Sequence, residues 1–307
     1  MGKPGAIYSL SVIAFVTLAL FVSLRDKAPN FEEKSEMVEN KISLPQVIKA
    51  IDLNRDFDFA GEFLPMENFD VYERLDREIL VNAYTHATTL LNLKSAQRYF
   101  PLFERILAAN GVPDDFKFLA VAESNFRHGT SSAGAKGIWQ FMPATAKGFG
   151  LEISEDVDER MHVEKSTEAA CKLLQNYKKR FGTWTLAASA YNFGETRMAK
   201  ELAAQQTTSF YEMNLNVETS RYMFRLVAIK EIMTYPDEYG FQLDKNEFYQ
   251  PLVDYTVVDV TATISSLADF AKVNGTTYRM LKLYNPWLIT SKLTVKPGKS
   301  YKIKIPA

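Results

Sequence analysis

A single glutamate, Glu123, interrupts an apolar segment with the sequence FKFLAVAESNF. Pro113 and two aspartates precede this segment, and a proline followed by acids is a signal for the start of a helix. Four residues then fall on one face of that helix, at spacings of three, four and seven: Phe116, Leu119, Ala120 and Glu123. Glu123 is therefore predicted to project from the apolar face, near the carboxyl end of the helix.

The position of Glu123 favours a carboxyl that keeps its proton. Burial disfavours the carboxylate, and the negative end of the helix dipole disfavours it further, so both effects raise the pKa. A carboxyl that is protonated near neutral pH can act as a general acid. The alternative is a glutamate at a helix end that turns into solvent, and the helical pattern alone leaves this alternative open.

The segment that follows, SSAGAKGIWQFMP, is suited to contact with a ligand. Gly134 and Gly137 can take backbone angles that other residues avoid, which lets a ligand approach the backbone closely. Trp139 and Phe141 flank the amide of Gln140. Aromatic rings with one amide suit a sugar, because a sugar offers apolar ring faces and many hydroxyls.

Motifs in a fixed order resemble those of a known enzyme family. The segments are ESNF, SSAGAKGIWQFMPATA, VDERMHVEKSTEAACKLL, AASAYNFGE and VETSRYMFRLVAI. They are similar to the motifs of lytic murein transglycosylases with a goose-lysozyme-like fold, and above all to the membrane-bound D group. The family's Glu-Ser, GLWQ-type, Asp-x-Arg, Ser-Thr-x-Ala-Ala, Ala-Tyr-Asn-x-Gly and Glu-Thr-x-x-Tyr-Val patterns all have counterparts.

The resemblance implies a role for each matching residue. Glu123 corresponds to the sole catalytic acid and base, and Ser124 follows it as a hydrogen-bonding residue at the helix end. The implied substrate-binding set is Ser124, Ser131, Gln140, Met142, Tyr191, Asn192, Glu218 and Tyr222. The loop before Gly134 is one residue shorter than in many members of the family, so Ser132 competes with Ser131 for the serine position.

The resemblance also implies a reaction on peptidoglycan glycan strands. Glu123 would protonate the oxygen that joins MurNAc to GlcNAc. As a base, it would then take the proton of the MurNAc C6 hydroxyl, which attacks C1 and gives a 1,6-anhydro end without water, metal or cofactor. A hydrolytic muramidase on the same fold is an alternative, and so is a glycan-binding scaffold whose catalytic domain has decayed. The intact Glu123, Gln140 and Tyr191 with Asn192 argue against decay.

The other polar residues are predicted to have structural roles. Four acids after the loop are expected on a solvated surface: Glu152, Glu155, Asp156 and Asp158. Three scattered histidines without the spacing of metal ligands are expected to be on the surface or hydrogen-bonded: His86, His128 and His162. Cys171 is the single cysteine, which excludes an intramolecular disulfide, and it is expected to be a small buried apolar residue.

The amino-terminal segment predicts a place in the cell. Residues 6–24 are apolar, and 19 residues nearly span the core of a bilayer. The sequence lacks a clear cleavage site or a nearby cysteine, so residues 1–27 predict an uncleaved signal anchor, with a cleaved signal peptide as the alternative. A wall-cutting domain must lie outside the cytoplasm, so the expected location is the bacterial cell envelope, facing the periplasm. The net charge of −1 gives no indication of a nucleic-acid partner.

The elements that position these residues are predicted to be helices. Residues 28–70 indicate a polar linker and a short lead-in strip before the helical domain. Helical patterns cover residues 71–93, 96–110, 113–124, 166–181, 183–192, 195–204 and 219–235. Because no βαβ alternation occurs, the prediction is a mainly α domain over residues 71–245. The resemblance implies that this domain is lysozyme-like and catalytic.

The carboxyl-terminal residues 252–307 predict a separate unit. DYTVVDVT and KSYKIKIPA indicate strands, and two short helices are predicted between them. This β-α-α-β order resembles a LysM domain, a small glycan-binding module, with a core of its own that includes Leu267, Phe270, Leu281 and Ile303. The family's Gly-Asp-Thr turn is absent. Eight basic and three acidic side chains from Leu252 onward would favour an anionic wall polymer, or would only protect an edge strand from aggregation.

Overall fold

Helices form most of the structure over residues 50–307, which are the residues that the computed structural model describes. The predicted signal anchor and most of the linker lie outside the described residues. Within residues 50–307, no helix is both long enough and apolar enough to cross a membrane. The helical part contains α1 (Phe69–Tyr84), α2 (His86–Ala109), α3 (Phe116–Ser124), α4 (Pro143–Gly148), α5 (Val163–Phe181), α6 (Trp184–Phe193), α7 (Glu195–Gln205) and α8 (Val217–Thr234).

The first predicted helix ends earlier than the apolar pattern indicates. The break between α1 and α2 is at Thr85, whereas the pattern placed it near residue 95. Two side chains explain the difference, since Asn82 Nδ2 donates to Glu78 O at 2.7 Å and Thr85 Oγ1 donates to Val81 O at 2.6 Å. Such bonds from side chains to the backbone compete with the helical ladder and favour its end.

Helix α8 lies at the centre of the helical part and packs against α1, α3 and α6. The predicted apolar stripe is buried at Tyr222, Leu226 and Ile229. Met223 and Phe224, which lie off that stripe, are also fully buried. Because α8 buries residues on more than one side, it can hold side chains against several neighbouring helices.

The lead-in strip before α1 forms a short hairpin of β1 (Asp58–Phe59) and β2 (Glu62–Phe63). Phe59 is fully buried, with its ring 5.2 Å from the ring of Phe116 at the start of α3. Glu62 accepts hydrogen bonds from the backbone N–H groups of Trp184 and Thr185, at 2.7 and 2.8 Å. Burial alone would raise the pKa of Glu62, but these bonds lower it. The hairpin therefore fixes the start of α6, which carries part of the site described below.

The carboxyl-terminal unit has the predicted β-α-α-β order. Its elements are β3 (Tyr255–Val260), α9 (Leu267–Val273), α10 (Tyr278–Tyr284) and β4 (Tyr301–Pro306). The two strands are antiparallel, with Tyr255 opposite Pro306 and Val260 opposite Tyr301. The predicted core residues Leu267, Leu281 and Ile303 are fully buried, whereas Phe270 is only partly buried.

Val157, a residue of the helical part, also belongs to the core of the carboxyl-terminal unit. It pairs with Leu288 in an isolated antiparallel bridge, and only 1% of its surface is exposed. The unit is therefore not packed on its own residues alone. A segment between the predicted domains completes its core, so the two parts are joined by shared packing.

The segment around Val157 corrects one sequence prediction. Asp156 and Asp158 are buried, with 3% and 1% of their surfaces exposed, although solvated surface was expected. Asp156 accepts hydrogen bonds from Thr290 Oγ1 at 2.7 Å and from Thr294 N at 3.0 Å. The partners of Asp156 are more than 130 residues away in sequence, so the local composition gave no indication of its burial.

The other two acids of this segment, Glu152 and Glu155, differ in their exposure to solvent. Glu155 is exposed as expected, and it forms an ion pair with Lys292 at 3.1 Å. Glu152 is half-buried and accepts a hydrogen bond from Tyr301 Oη at 3.0 Å. Three of the four acids, Glu152, Glu155 and Asp156, therefore have side-chain partners in the carboxyl-terminal unit.

Candidate active site

Glu123 lies in the last turn of α3, where it meets the middle of the structure. The hydroxyl of Tyr222 on α8 donates a hydrogen bond to Glu123 Oε1 at 2.6 Å. Helix α3 ends directly afterwards, since Asn125 has a left-handed conformation with φ of 49° and its N–H bonds to Val121 O. The carboxyl is thus held at the end of a short apolar helix, next to the loop that follows.

The surroundings of Glu123 change its proton affinity. Burial is the largest cause and raises the pKa of Glu123 to about 7. The hydrogen bond from Tyr222 and the positive charge of Arg225 lower the pKa, while the negative charge of Glu218 raises it. The protonated and ionised forms are therefore both populated near neutral pH, as predicted from burial of the carboxyl.

Arg225 and Glu218 belong to a charged cluster beside Glu123. Arg225 Nη1 lies 3.4 Å from Glu218 Oε1, and Glu218 is mostly exposed. Glu78, which is fully buried in α1, accepts a hydrogen bond from Arg221 Nε at 2.5 Å and lies 3.9 Å from Arg225 Nε. The sequence analysis missed Glu78 because its partners lie more than 140 residues away along the chain.

Tyr191 on α6 is close enough to Glu123 to feel its charge. Its hydroxyl donates to Trp139 O at 2.6 Å, and its ring centroid is 6.2 Å from that of Phe141. Burial, followed by the charge of Glu123, raises the pKa of Tyr191 well above its ordinary value. Tyr191 is therefore a neutral hydroxyl that ties α6 to the loop, and the adjacent Asn192 is half-buried at the end of α6.

The predicted loop residues have local partners. Gln140 has a left-handed backbone with φ of 48°, and its Nε2 donates to Gly137 O at 2.8 Å and to Gly129 O at 3.3 Å. Ser131 is exposed, and its Oγ accepts a hydrogen bond from Ala135 N at 3.0 Å. Ser124 and Met142 are two further residues of the predicted set. Ser124 Oγ donates a hydrogen bond to Ala120 O at 3.0 Å, and Met142 is exposed directly before α4.

The aromatic residues around Gln140 do not face a ligand. Trp139 and Phe141 are buried, with 0% and 2% of their surfaces exposed. The indole of Trp139 donates to Thr167 Oγ1 at 2.8 Å and packs 5.5 Å from the ring of Phe103. The prediction that these rings stack on a sugar is therefore wrong. The left-handed turn at Gln140 sends both rings into the core and leaves the amide beside the loop.

Arg160 holds the loop between α3 and α4 in place. Its Nη1 donates to Gly134 O at 2.9 Å and to Phe141 O at 3.2 Å, while Nε and Nη2 donate to the carboxylate of Asp158. Burial alone would raise the pKa of Asp158, but the charge and hydrogen bonds of Arg160 lower it. The sequence contains this pair in the Asp-x-Arg motif, but nothing local indicated what the arginine holds.

A cavity of about 180 Å³ opens beside the end of α3, and its lining is partly polar and partly apolar, with Ile229, Ile232 and Met233 from α8 on the apolar part. Ala122 and Asn125 line it on either side of Glu123 and Ser124, and Arg225 contributes from α8. The remaining polar lining comes from amides and hydroxyls at the junction of α1 and α2: Asn82, Thr85, Thr88, Thr89 and Asn92. Such side chains can hydrogen-bond the hydroxyl and amide groups of a sugar.

The histidines and the cysteine differ in their surroundings. Cys171 is fully buried, as predicted. His128 corrects the prediction, since burial lowers its pKa to about 4 and its Nδ1 has no hydrogen-bond partner among residues 50–307. No group of three or more His, Cys, Asp or Glu side chains in the described part of the chain is placed to hold a metal ion.

Comparison with protein families identifies two domains. Residues 101–214 match the transglycosylase SLT domain, and residues 256–307 match the soluble lytic transglycosylase C-terminal LysM-like domain. Glu123, Gln140 and Tyr191 lie within the first match, whereas Glu218 and Tyr222 lie beyond its end. The predicted fold class is confirmed, with a mainly helical domain followed by a LysM-like β-α-α-β unit.

Comparison with curated proteins gives several relatives. Membrane-bound lytic murein transglycosylase D of Escherichia coli K12 is 31% identical over 239 residues, which are 74% of this chain and 50% of that protein. Peptidoglycan transglycosylase gp16 of Escherichia phage T7 is 35% identical over 136 residues, 43% of this chain and 10% of that protein. The chain spans about half the length of the transglycosylase D proteins that it matches.

Comparison with solved structures gives the 70 kDa soluble lytic transglycosylase of Escherichia coli, with a TM-score of 0.40 and 18% identity. The aligned part covers 58% of this chain and 33% of that structure.

Proposed function

Since the chain carries a transglycosylase SLT domain and a LysM-like domain and is homologous to membrane-bound lytic murein transglycosylase D, we propose that it is a peptidoglycan lytic transglycosylase. The observation that carries the proposal is the buried carboxyl of Glu123 at the end of α3, with its pKa near neutrality and the Tyr222 hydroxyl on Oε1. The proposed catalytic domain covers residues 71–245, and the LysM-like domain covers residues 252–307.

The proposed reaction uses Glu123 twice. The protonated carboxyl gives its proton to the oxygen between MurNAc C1 and GlcNAc C4, and the bond from C1 to that oxygen breaks. The N-acetyl group of MurNAc stabilises the positive charge that develops at C1. The Glu123 carboxylate then takes the proton of the C6 hydroxyl, and O6 bonds to C1. The proton balance closes without water, and Glu123 is again protonated for the next cycle.

The other predicted residues are proposed to bind and position the strand. Tyr222 orients the carboxyl of Glu123, and Tyr191 supports the loop that carries Gln140. Ser124, Ser131, Met142, Asn192 and Glu218 complete the proposed substrate-binding set.

The proposed location is the bacterial cell envelope, with the catalytic domain facing the periplasm. The basis is the apolar segment of residues 6–24, which is proposed as a membrane anchor. Peptidoglycan strands are the proposed substrate, and no cofactor is part of the proposal.

The proposal is tested by replacing the acid with its uncharged isostere. Glu123→Gln keeps the shape of the side chain and can still accept the hydrogen bond from Tyr222, but an amide cannot supply the catalytic proton. Release of soluble fragments from purified sacculi should fall by at least about a hundredfold. The variant should keep its helical circular dichroism spectrum and its retention on sacculi.

Glu201→Gln on α7 is the matched control. Glu201 is half-buried and accepts a hydrogen bond from Gln205, which the amide oxygen of glutamine can still accept, so fragment release should be unchanged. Fragment release by a folded Glu123→Gln chain at a rate near that of the wild type would reject Glu123 as the acid.

A further inference from the structure

A second cavity lies where the LysM-like domain contacts the helical part. Its volume is about 290 Å³. Side chains of α2 and of the start of α5 form one wall, and residues around β3, α10 and β4 form the opposite wall. The residues that decide its chemistry are Arg98, Arg105, His128, Glu164, Trp287 and Lys304. This cavity and the cavity beside Glu123 share no lining residue.

The walls of this interdomain cavity carry a net positive charge. Arg98, Arg105 and Lys304 are cationic, and Glu164 is the one carboxylate that lines the cavity within residues 50–307. Glu164 is already matched, since Lys304 forms an ion pair with it across the junction. Burial alone would raise the pKa of Glu164, but His162 and Lys304 lower it to about 2. The two arginines are therefore left in excess, and their natural complement is an anion.

Arg105 is the residue that is available to such an anion. Its side chain forms no hydrogen bond or ion pair with any residue that the structure describes. Arg98 is held in place on the same wall, where Nε donates to Gln250 O at 3.0 Å and the guanidinium lies 5.4 Å from the centre of the Tyr249 ring. A guanidinium with unused N–H donors can bind a carboxylate through two parallel hydrogen bonds.

His128 supplies a second unused polar group. Its Nδ1 is buried and has no hydrogen-bond partner within the described part of the chain. Burial lowers the pKa of His128 to about 4, so its imidazole is neutral at physiological pH and offers one donor and one acceptor. A buried polar atom without a partner is costly, and a hydrogen-bonding group of a ligand would remove that cost.

The rest of the lining is apolar and limits the size of the occupant. Trp287 stacks against His162, with the ring centroids 5.7 Å apart, and prolines and leucines from both parts fill the remaining surface. A volume of about 290 Å³ is at the lower end of the range for small-molecule pockets. The cavity can therefore hold a single sugar or a dipeptide with a carboxylate, but not a folded partner.

We propose that this cavity binds the acidic peptide stem that peptidoglycan carries on its muramic acid residues. The inference rests on the proposed function, since peptidoglycan brings an anionic peptide on a sugar to this protein. The cavity also adjoins the active-site loop, because His128 is next to Gly129, whose carbonyl accepts a hydrogen bond from Gln140. Recognition of the stem would thus take place next to this loop, at the junction between the helical part and the LysM-like domain.

The test uses N-acetylmuramyl-L-alanyl-D-glutamate as the probe, with isothermal titration calorimetry on the full-length chain in detergent. The chain carries Glu123→Gln so that binding is measured without turnover. Arg105→Gln should weaken binding of the probe about tenfold, which is the loss expected for a charge-assisted hydrogen bond. Arg197→Gln, an exposed arginine on α7 that does not line the cavity, is the matched control and should leave the affinity unchanged.

Two further measurements separate this site from the cavity beside the end of α3. A neutral oligomer of N-acetylglucosamine should not displace the probe, because it lacks a carboxylate. The affinity for the probe should fall as salt is added, because the interaction is between exposed charges.

The proposal is overturned if the probe does not bind, if Arg105→Gln binds it as tightly as the parent chain, or if the neutral oligomer displaces it. Cleavage of sacculi by the wild type is measured separately. Cleavage together with any of those results would leave the proposed function standing and reject only the cavity. Arg105-dependent binding without cleavage would support an acidic-peptide site and reject the proposed function.

Discussion

The protonation state of Glu123 is set by groups that act in opposite directions. Burial, the largest cause, raises its pKa, and Glu218 adds to this effect, whereas Tyr222 and Arg225 lower the pKa. With a pKa of about 7, the carboxyl can lose and regain its proton at little cost near neutral pH. That balance suits a group that must first act as an acid and then as a base.

Two substitutions next to Glu123 should shift the pH dependence of cleavage in opposite directions. Tyr222→Phe removes a hydrogen bond that favours the carboxylate, so the pKa of Glu123 rises further. Glu218→Gln removes a nearby negative charge, so the pKa falls. In the proposed reaction, cleavage requires the protonated form of Glu123 first, so it is lost as pH rises through the pKa. The alkaline limb of kcat/KM on soluble glycan strands should therefore move to higher pH in Tyr222→Phe and to lower pH in Glu218→Gln.

The profile is measured between about pH 5 and pH 9, which brackets a pKa near neutrality. Glu201→Gln serves again as the control and should leave the limb in place. If Tyr222→Phe and Glu218→Gln shift the limb in the same direction, another group sets the alkaline limb.

Among the elements, the loop between α3 and α4 depends on one close contact. Gly137 has φ of +80°, and a Cβ placed there would lie 1.9 Å from the carbonyl oxygen of Arg160. Gly134 has a similar φ of +87°, but a Cβ there would meet nothing within 4 Å. An alanine at Gly134 would therefore carry only the cost of a positive φ, whereas an alanine at Gly137 would carry that cost and the cost of displacing Arg160.

Gly134→Ala should lower the free energy of unfolding by about 1 kcal/mol, through its backbone angle alone. Gly137→Ala should lower it by more than about 3 kcal/mol and should also reduce cleavage, because the chain at Arg160 must move. Chemical denaturation and the sacculus assay measure the two effects. Equal losses of stability in the two variants would show that the contact with Arg160 does not hold the loop.

Sequence analysis succeeded where the determining contacts are local. The apolar face of α3 is a helical pattern, and it predicted a buried Glu123 with a raised pKa. The limits of α5 to α8 were predicted within about three residues, because their caps and glycines are adjacent to the helices. The resemblance to a family then selected Tyr191 and Tyr222, and both of these tyrosines interact with Glu123 in the structure.

The sequence failed where a partner is distant. Asp156 looked like a surface acid because its donors, Thr290 and Thr294, lie in the LysM-like domain. Trp139 looked like a ring that binds a ligand. The left-handed backbone at Gln140 turns this ring into the core, and the residue types of the loop do not predict a left-handed conformation at a glutamine. Burial of Glu78 likewise depends on Arg221, which lies in another helix.

For the whole molecule, contacts run from the LysM-like domain to the loop between α3 and α4, which carries part of the candidate site. Val157 completes the core of that domain, and Asp158 N donates to Trp287 O at 2.9 Å. Asp158 also holds Arg160, which in turn holds the carbonyls of Gly134 and Phe141. The small domain therefore supports the loop in addition to any contact that it makes with the wall.

Deletion of residues 253–307 should reduce cleavage of soluble glycan strands as well as retention on sacculi. The deletion exposes Val157 and removes the donors to the Asp156 carboxylate, so the segment that holds Arg160 loses its support. Hydrogen exchange should rise at residues 130–141, and kcat should fall. A truncated chain with unchanged exchange in that loop and unchanged kcat on soluble strands would show that the loop is stable without the LysM-like domain.

The proposed reaction as a whole is tested most directly by the chemical form of its products. Purified peptidoglycan strands are digested with the wild-type chain, and the muramic acid ends of the fragments are identified by mass spectrometry. If Glu123 acts as the sole acid and base, the fragments end in 1,6-anhydro-MurNAc and carry no added water. Fragments that end in reducing MurNAc, each heavier by one water molecule, would contradict a lytic transglycosylase and identify a hydrolytic muramidase instead.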